Sequence, residues 1–176
     1  MGKNTQFANE KENKGFEELK KFNEFLKLND LNQTDKGDYF DASGATPLRK
    51  TVIIENKIRE QVLLQDDNGK FYVSGSTKEG KSYSGDTLFI ESHKIADLLL
   101  DYVVNGSIPL YVNYLKNHIL VYKLHNLKHR PEKKHYRIFS QLYQSFEIAD
   151  RQLLSLEDAY IFQKMENNTF QLIHQP

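Results

Sequence analysis

Hydrophobic residues along the chain recur with two different periods. Between residues 16 and 29, Phe16, Leu19, Phe22, Phe25 and Leu26 return every three or four positions with charges between them, which predicts an amphipathic helix. A second block at 93–105 places Ile95, Leu98, Leu99, Tyr102 and Val103 on one stripe, with Ser92 as a cap before it and Gly106 at the stop. The remaining blocks have strand character. They cover 38–42, 51–59, 87–91 and a hairpin of 108–115 with 119–124 across Lys116-Asn117-His118. The triple apolar run Val52-Ile53-Ile54 suits a strand covered on both faces, hence a central one. Asp67-Asn68-Gly69 reads as a hairpin turn between 62–64 and 71–73, and Ser-Gly-Ala-Thr-Pro as a turn at 43–47. Polar stretches predict a break at 29–37, a flexible loop at 74–86 and a mobile tail at 1–14. Ser155 followed by Asp158 opens a short helix, and 170–173 gives a last strand.

The resulting order is helix, three strands, helix, two strands. A helix before the strands and another between them cover two faces of one sheet, so the expected fold is α/β (α+β), a mixed central β-sheet flanked by helices. A length of 176 residues suits a single domain at 15–176, with a core at 16–124 and a C-terminal extension at 125–176. The chain has no cysteine, which excludes a disulfide scaffold, a thiol nucleophile and a cysteine-ligated zinc site. The polar first residues carry no apolar leader, and no apolar run approaches the ~20 residues of a membrane span. The expectation is a cytoplasmic protein without membrane contact.

Charge changes this picture only locally. Lys plus Arg and Asp plus Glu balance at 24 each, yet residues 116–137 hold seven Lys or Arg against one acid, Glu132. That segment is either a solvated basic loop or a phosphate-contacting patch built from Lys116, Lys128, Arg130, Lys133 and Lys134. Four histidines, 118, 125, 129 and 135, share it, but their spacing follows neither a strand nor a helix period, so zinc is not expected. Tyr111, Tyr114 and Tyr122 read as strand packing, with base stacking on an exposed sheet as the alternative.

The densest chemistry lies at Glu55-Asn56-Lys57. Residues i and i+2 of a strand share a face, so Glu55 and Lys57 project together. The carboxylate can hold a hard divalent cation, and the ammonium can orient a water and offset phosphate charge. Asp41, at the end of its own strand and one turn-containing link away, can bring a second carboxylate to the same point. Glu91 and Lys94 bracket the start of the second helix. They are either a charge pair at the helix terminus or a supporting acid with a substrate-contacting lysine.

Asp41 followed by Glu55-x-Lys57, in helix–strand–strand–strand–helix–strand order over residues 16–124, resembles the PD-(D/E)XK (restriction-endonuclease-like) nuclease superfamily. The position before Asp41 is Phe40 where the superfamily often has proline. The resemblance implies a nuclease that uses Mg²⁺ (or Mn²⁺). Asp41, Glu55 and the Asn56 backbone carbonyl would bind metal, with Lys57 serving the attacking water. It also implies a further acid from the first helix, for which Glu18 is the candidate and Glu17 the next. Lys94 and the basic segment would contact the substrate, DNA rather than RNA. A homodimer would suit the cutting of both strands of a duplex. A decayed site on the same fold would instead give a non-catalytic module that binds nucleic acid or protein.

Overall fold

The computed structural model describes residues 3–35, 40–76, 80, 82–140, 145–166 and 169–176. Its elements are α1 (Lys3–Leu26), β1 (Asn29–Gln33), β2 (Ala42–Ala45), β3 (Thr51–Ile58), β4 (Val62–Gln65), β5 (Phe71–Ser76), β6 (Ser82–Gly85), β7 (Thr87–Glu91), α2 (Ser92–Asn105), β8 (Ile108–Tyr114), β9 (His118–Lys123), β10 (Glu132–Ser140), β11 (Ser145–Ser155), β12 (Ala159–Lys164) and β13 (Phe170–His174). The main sheet has the order β1-β2-β3-β8-β9-β12-β13. Its strands pair antiparallel except β3 and β8, which run parallel with Val52 beside Ile108 and Ile58 beside Tyr114. A parallel pair needs a long crossover. Here β4–β7 and α2 supply it, and those strands form parts of two smaller sheets, β4-β5-β6 and β10-β11-β7.

Side-chain alternation on β3 sorts the interior into two cores. Val52 and Ile54 pack with Leu110, Val112 and Tyr114 under Phe16, Leu19 and Phe22 of α1. Ile53 lies on the opposite face, with Tyr111, Leu120 and Tyr122, against Leu88 and Ile90 of β7 and Ile95 and Leu98 of α2. The triple apolar run therefore belongs to a strand covered on both sides, as its pattern requires. This mixed α/β arrangement, a large sheet between two helical elements, is the α+β class expected.

Several elements depart from the sequence pattern. The helix starts at Lys3, so 3–14, expected as a tail, is helical. The polar break at 29–37 contains β1, an exposed edge strand whose Leu31 packs on the α1 core. Ser43, Gly44 and Ala45 belong to β2 rather than to a turn, and the chain reverses after Thr46, with Arg49 in the left-handed region at φ 59°. Of the strand expected at 38–42, Asp38 and Tyr39 lie outside the described residues, Phe40 and Asp41 precede β2, and Ala42 begins it. Within 74–86, β5 runs on to Ser76 and β6 follows, while 77–79 and 81 lie outside the described residues. On α2 the buried positions are Ile95, Leu98 and Asp101, and Val103 is 77 % exposed, so the apolar stripe is narrower than its spacing suggests. Glu91, not Ser92, occupies the cap position and makes no side-chain capping bond; Gly106 at φ 71° ends the helix in the left-handed conformation that glycine adopts freely. In the C-terminal extension, β12 and β13 complete the main sheet, and Ile161 and Phe162 enter the two cores. Among the described residues no helix is long and apolar enough to cross a membrane.

Candidate functional site

The C-terminal half of β3 is where charge replaces hydrocarbon. Glu55 and Lys57 continue the face of Ile53, so both point toward β7 and α2. Asn56 points the other way, toward α1, where the Tyr114 hydroxyl donates to Asn56 Oδ1 at 3.2 Å. Asp41 is carried to the same place by β2, because its N–H donates to the Ile54 carbonyl at 2.9 Å and its Oδ2 accepts the Asn56 N–H at 2.6 Å. Glu91 ends β7 and caps α2, and Lys94 lies in the first turn of that helix.

These groups form two crossed ion pairs. The Lys94 ammonium donates to Glu55 Oε1. The Lys57 ammonium donates to Glu91 Oε1 at 3.2 Å. Asp41, Glu55, Asn56, Lys57 and Lys94 line a cleft of about 260 Å³ together with Glu12, Gly15 and Ile58. That is room for a phosphate group with several waters at ~30 Å³ each. Counted together, Glu12, Asp41, Glu55 and Glu91 bring four acidic side chains against the two lysines Lys57 and Lys94, so acid is in excess.

The electrostatics follow from that imbalance. Glu55 is 2 % exposed, and its Oε2 has no hydrogen-bond partner. Burial, and then the charge of Asp41, push its carboxyl up to about 7, although Lys94 and Lys57 pull the other way. Burial also raises Asp41, against the opposing pull of the Asn56 N–H and the two lysines. Glu91 is only partly buried, and Lys57 overcomes that burial and holds it below the ordinary range. The Lys94 ammonium loses solvent on burial, and its neighbours Glu55 and Asp41 more than compensate and raise it. The strain is thus concentrated on Glu55 and Asp41, two like charges close together with one unpartnered oxygen, which is the condition an added cation relieves.

The donor set fits a hard divalent cation. It is all oxygen, it carries excess negative charge, and Glu55 Oε2 is buried and unpaired. Among the described residues no three His, Asp or Glu side chains form a ready cage. Further ligands would have to be backbone oxygen, water or a substrate phosphate, as Mg²⁺ commonly keeps.

The other residues singled out in the sequence fall elsewhere. Glu18 sits on the α1 face of the sheet, paired with Lys21 at 3.0 Å and with Lys164 at 3.4 Å, and it lines different hollows. Glu17 pairs with Lys20 on the exposed side. The acid that α1 does bring to the cleft is Glu12. Nearby, Gly15 brings the helix backbone against β3: a Cβ there would stand 3.5 Å from Asn56 Cβ.

The basic segment does not make one patch. Lys116 is exposed beside Lys14, Arg59 and Glu60 in a hollow that shares Ile58 with the cleft. Lys128 lines a separate hollow with Lys70, Asp86 and Glu157. Arg130 is exposed, Lys133 pairs with Asp150 at 3.0 Å, and Lys134 pairs with Glu132 at 3.4 Å. The four histidines are equally dispersed: His118 is buried near Lys164, His125 stacks on Tyr102, His129 meets Asp158 and His135 meets Asp150. Tyr111, Tyr114 and Tyr122 are fully buried, which removes the base-stacking alternative for them.

Sequence reasoning missed Arg59, which the fold uses as a brace behind the cleft. Its Nε donates to Asn113 Oδ1 at 2.5 Å, and one terminal nitrogen donates to the Phe89 carbonyl and the Tyr111 hydroxyl, each at 2.6 Å. The Phe89 ring lies under both Arg59, at 4.5 Å, and Arg151, at 3.8 Å. Position 59 follows Lys57 with the strand period, and that spacing was the available signal. Comparison with protein-family models, curated proteins and solved structures gives no match.

Proposed function

We propose that the cleft hydrolyses phosphodiester bonds of a nucleic acid, DNA rather than RNA, with the help of Mg²⁺ or Mn²⁺. The observation that carries this reading is the meeting of Asp41 and Glu55, with its unpartnered buried Oε2, beside the ammonium groups of Lys57 and Lys94. The element order lends support in part. The expected strands at 51–59 and 108–115 lie side by side in the main sheet as β3 and β8, with α2 between them in sequence, whereas the expected strand at 87–91 belongs to another sheet as β7.

In this reading Asp41 and Glu55 hold the cation. When bound, the cation supplies charge to a phosphate oxygen and lowers the pKa of a coordinated water. Lys57 stands on the face of Glu55 and orients the attacking water. Glu91 fixes the direction of the Lys57 ammonium. Lys94 takes a phosphate oxygen, and the lysines beyond the cleft, Lys116 first, hold the flanking backbone by contacts that carry no sequence information. The test is digestion of single-stranded and duplex DNA and of RNA with Mg²⁺ or Mn²⁺. Glu55→Ala and Lys57→Ala are expected to remove cleavage while the protein stays folded. Cleavage that persists in both variants overturns the reading.

One observation favours a second reading, a non-catalytic binding module: Lys94 already neutralises Glu55. Calorimetry with Mn²⁺ separates the two, since only a live site gives binding that Asp41→Ala abolishes.

A further inference from the structure

We propose that Lys94 competes with the divalent cation for Glu55 and gives that carboxylate up to a phosphate, so that metal and phosphodiester bind cooperatively. The inference deepens the nuclease reading of the same cleft and rests on it.

Glu55 is the most deeply buried acid of the cleft, and the partner of its Oε1 is Lys94. Asp41 Oδ2 is engaged by the Asn56 N–H and Glu91 Oε1 by Lys57, while Glu91 Oε2 has no hydrogen-bond partner and Lys94 is nonetheless set on Glu55. A divalent cation drawn to Glu55 meets the Lys94 ammonium on the same carboxylate, and two positive groups at one acceptor repel. The ammonium therefore lowers cation affinity as long as it remains there.

The lysine has somewhere else to go. Its side chain is 29 % exposed, so its four-carbon stem can re-aim the ammonium into the cleft by rotamer change alone. Transfer of Lys94 from Glu55 to phosphate removes the repulsion and leaves both Glu55 oxygens to the cation. By linkage, each ligand then strengthens the other by the same factor.

The experiment is calorimetric titration of Mn²⁺ into wild type, Lys94→Met and Lys94→Gln, with and without a single-stranded phosphorothioate oligodeoxynucleotide. Thermal denaturation checks that the variants fold, and Lys94→Gln serves if Lys94→Met does not. Without oligonucleotide the variant is expected to bind Mn²⁺ at least about fivefold more tightly than wild type. The oligonucleotide is expected to tighten Mn²⁺ binding by wild type within the range of roughly 5- to 150-fold, and to change the variant less than about twofold. Unimproved Mn²⁺ affinity in the folded variant, or equal tightening by oligonucleotide in both proteins, overturns the proposal. The two readings also fail separately. Coupled binding by a wild type that cleaves no nucleic acid keeps the exchange and defeats hydrolysis. Cleavage lost in Lys57→Ala, with uncoupled Mn²⁺ binding, does the reverse.

Discussion

The backbone N–H of Asn56 donates to Oδ2 of Asp41 at 2.6 Å, so a side chain from the start of β2 closes the ladder beside β3. This bond gives Asp41 a structural task as well as a place in the cleft. Asp41→Ala leaves that half-buried N–H without its acceptor and is expected to cost about 1–2 kcal/mol, read from urea denaturation. Asp41→Asn keeps an acceptor oxygen and should cost less, while Mn²⁺ binding is lost in both. Equal stability of Asp41→Ala and wild type would contradict the role of the bond.

Glu55 makes stability depend on pH in the direction opposite to most acids. Its carboxyl is pushed up to about 7 by burial and by Asp41, above the glutamate value of about 4.5 in the unfolded chain. The folded protein thus binds this proton more tightly. The stabilisation is fully present below the unfolded value and is lost as pH rises through about 7, on the order of 3 kcal/mol in all. Glu55→Gln stays neutral and should melt higher than wild type at about pH 8 in metal-free buffer, with the gap closing toward about pH 5. Melting curves that run parallel across that range would rule this out. Cation binding by wild type should strengthen over the same rise in pH, because it requires the ionised form.

Glu91 acts through Lys57 if the 3.2 Å contact fixes the ammonium. Glu91→Gln is then expected to lower cleavage by about tenfold, or ~1.4 kcal/mol in barrier, with little change in Mn²⁺ affinity. In a Lys57→Ala background the same substitution should add nothing. An additive loss in the double variant would place Glu91 in a separate role.

Arg59 joins β3, β7 and β8 through four contacts: Asn113, the Phe89 carbonyl, the Tyr111 hydroxyl and the Phe89 ring. A lysine offers a point charge where a planar fork is used. Arg59→Lys is expected to destabilise by about 3 kcal/mol, because buried acceptors lose their donor. Chemical denaturation measures this, and a change within ~0.5 kcal/mol would show that the brace is dispensable.

What the sequence made legible follows from how strongly each segment is patterned. β3, β7, α2 and the β8–β9 hairpin carry dense apolar runs, and they stand where the periodicity puts them. β1 was hidden because Asn29-Asp30-Leu31-Asn32-Gln33 has one apolar residue; an edge strand needs no alternation when one side chain suffices to dock it. β6 was hidden for the same reason, its residues being mostly exposed. Within the cleft, the strand period brought Glu55 and Lys57 to one face. Glu18, chosen from the turn of α1 that carries the apolar stripe, lines other hollows than the cleft. That stripe faces the sheet over β3, whereas the part of the helix reaching the cleft lies earlier, at Glu12 and Gly15. The crossed pairing of Lys94 with Glu55 and of Lys57 with Glu91 depends on how β7 and α2 fold back over β3, which no local pattern encodes.

The parallel pairing of β3 with β8 requires a long excursion of the chain, and the residues of the cleft come from both before and within it. Asp41 and Glu55 meet through a short antiparallel link, which closes quickly, whereas Lys94 arrives only after the excursion through β4–β7 has been made. Until Lys94 arrives, Asp41 and Glu55 have Lys57 alone of the two cleft lysines beside them. If the proposed metal site is real, Mg²⁺ would shield this carboxylate pair while Lys94 is still absent. Refolding yield and rate should then rise with Mg²⁺, and that dependence should vanish in Glu55→Gln.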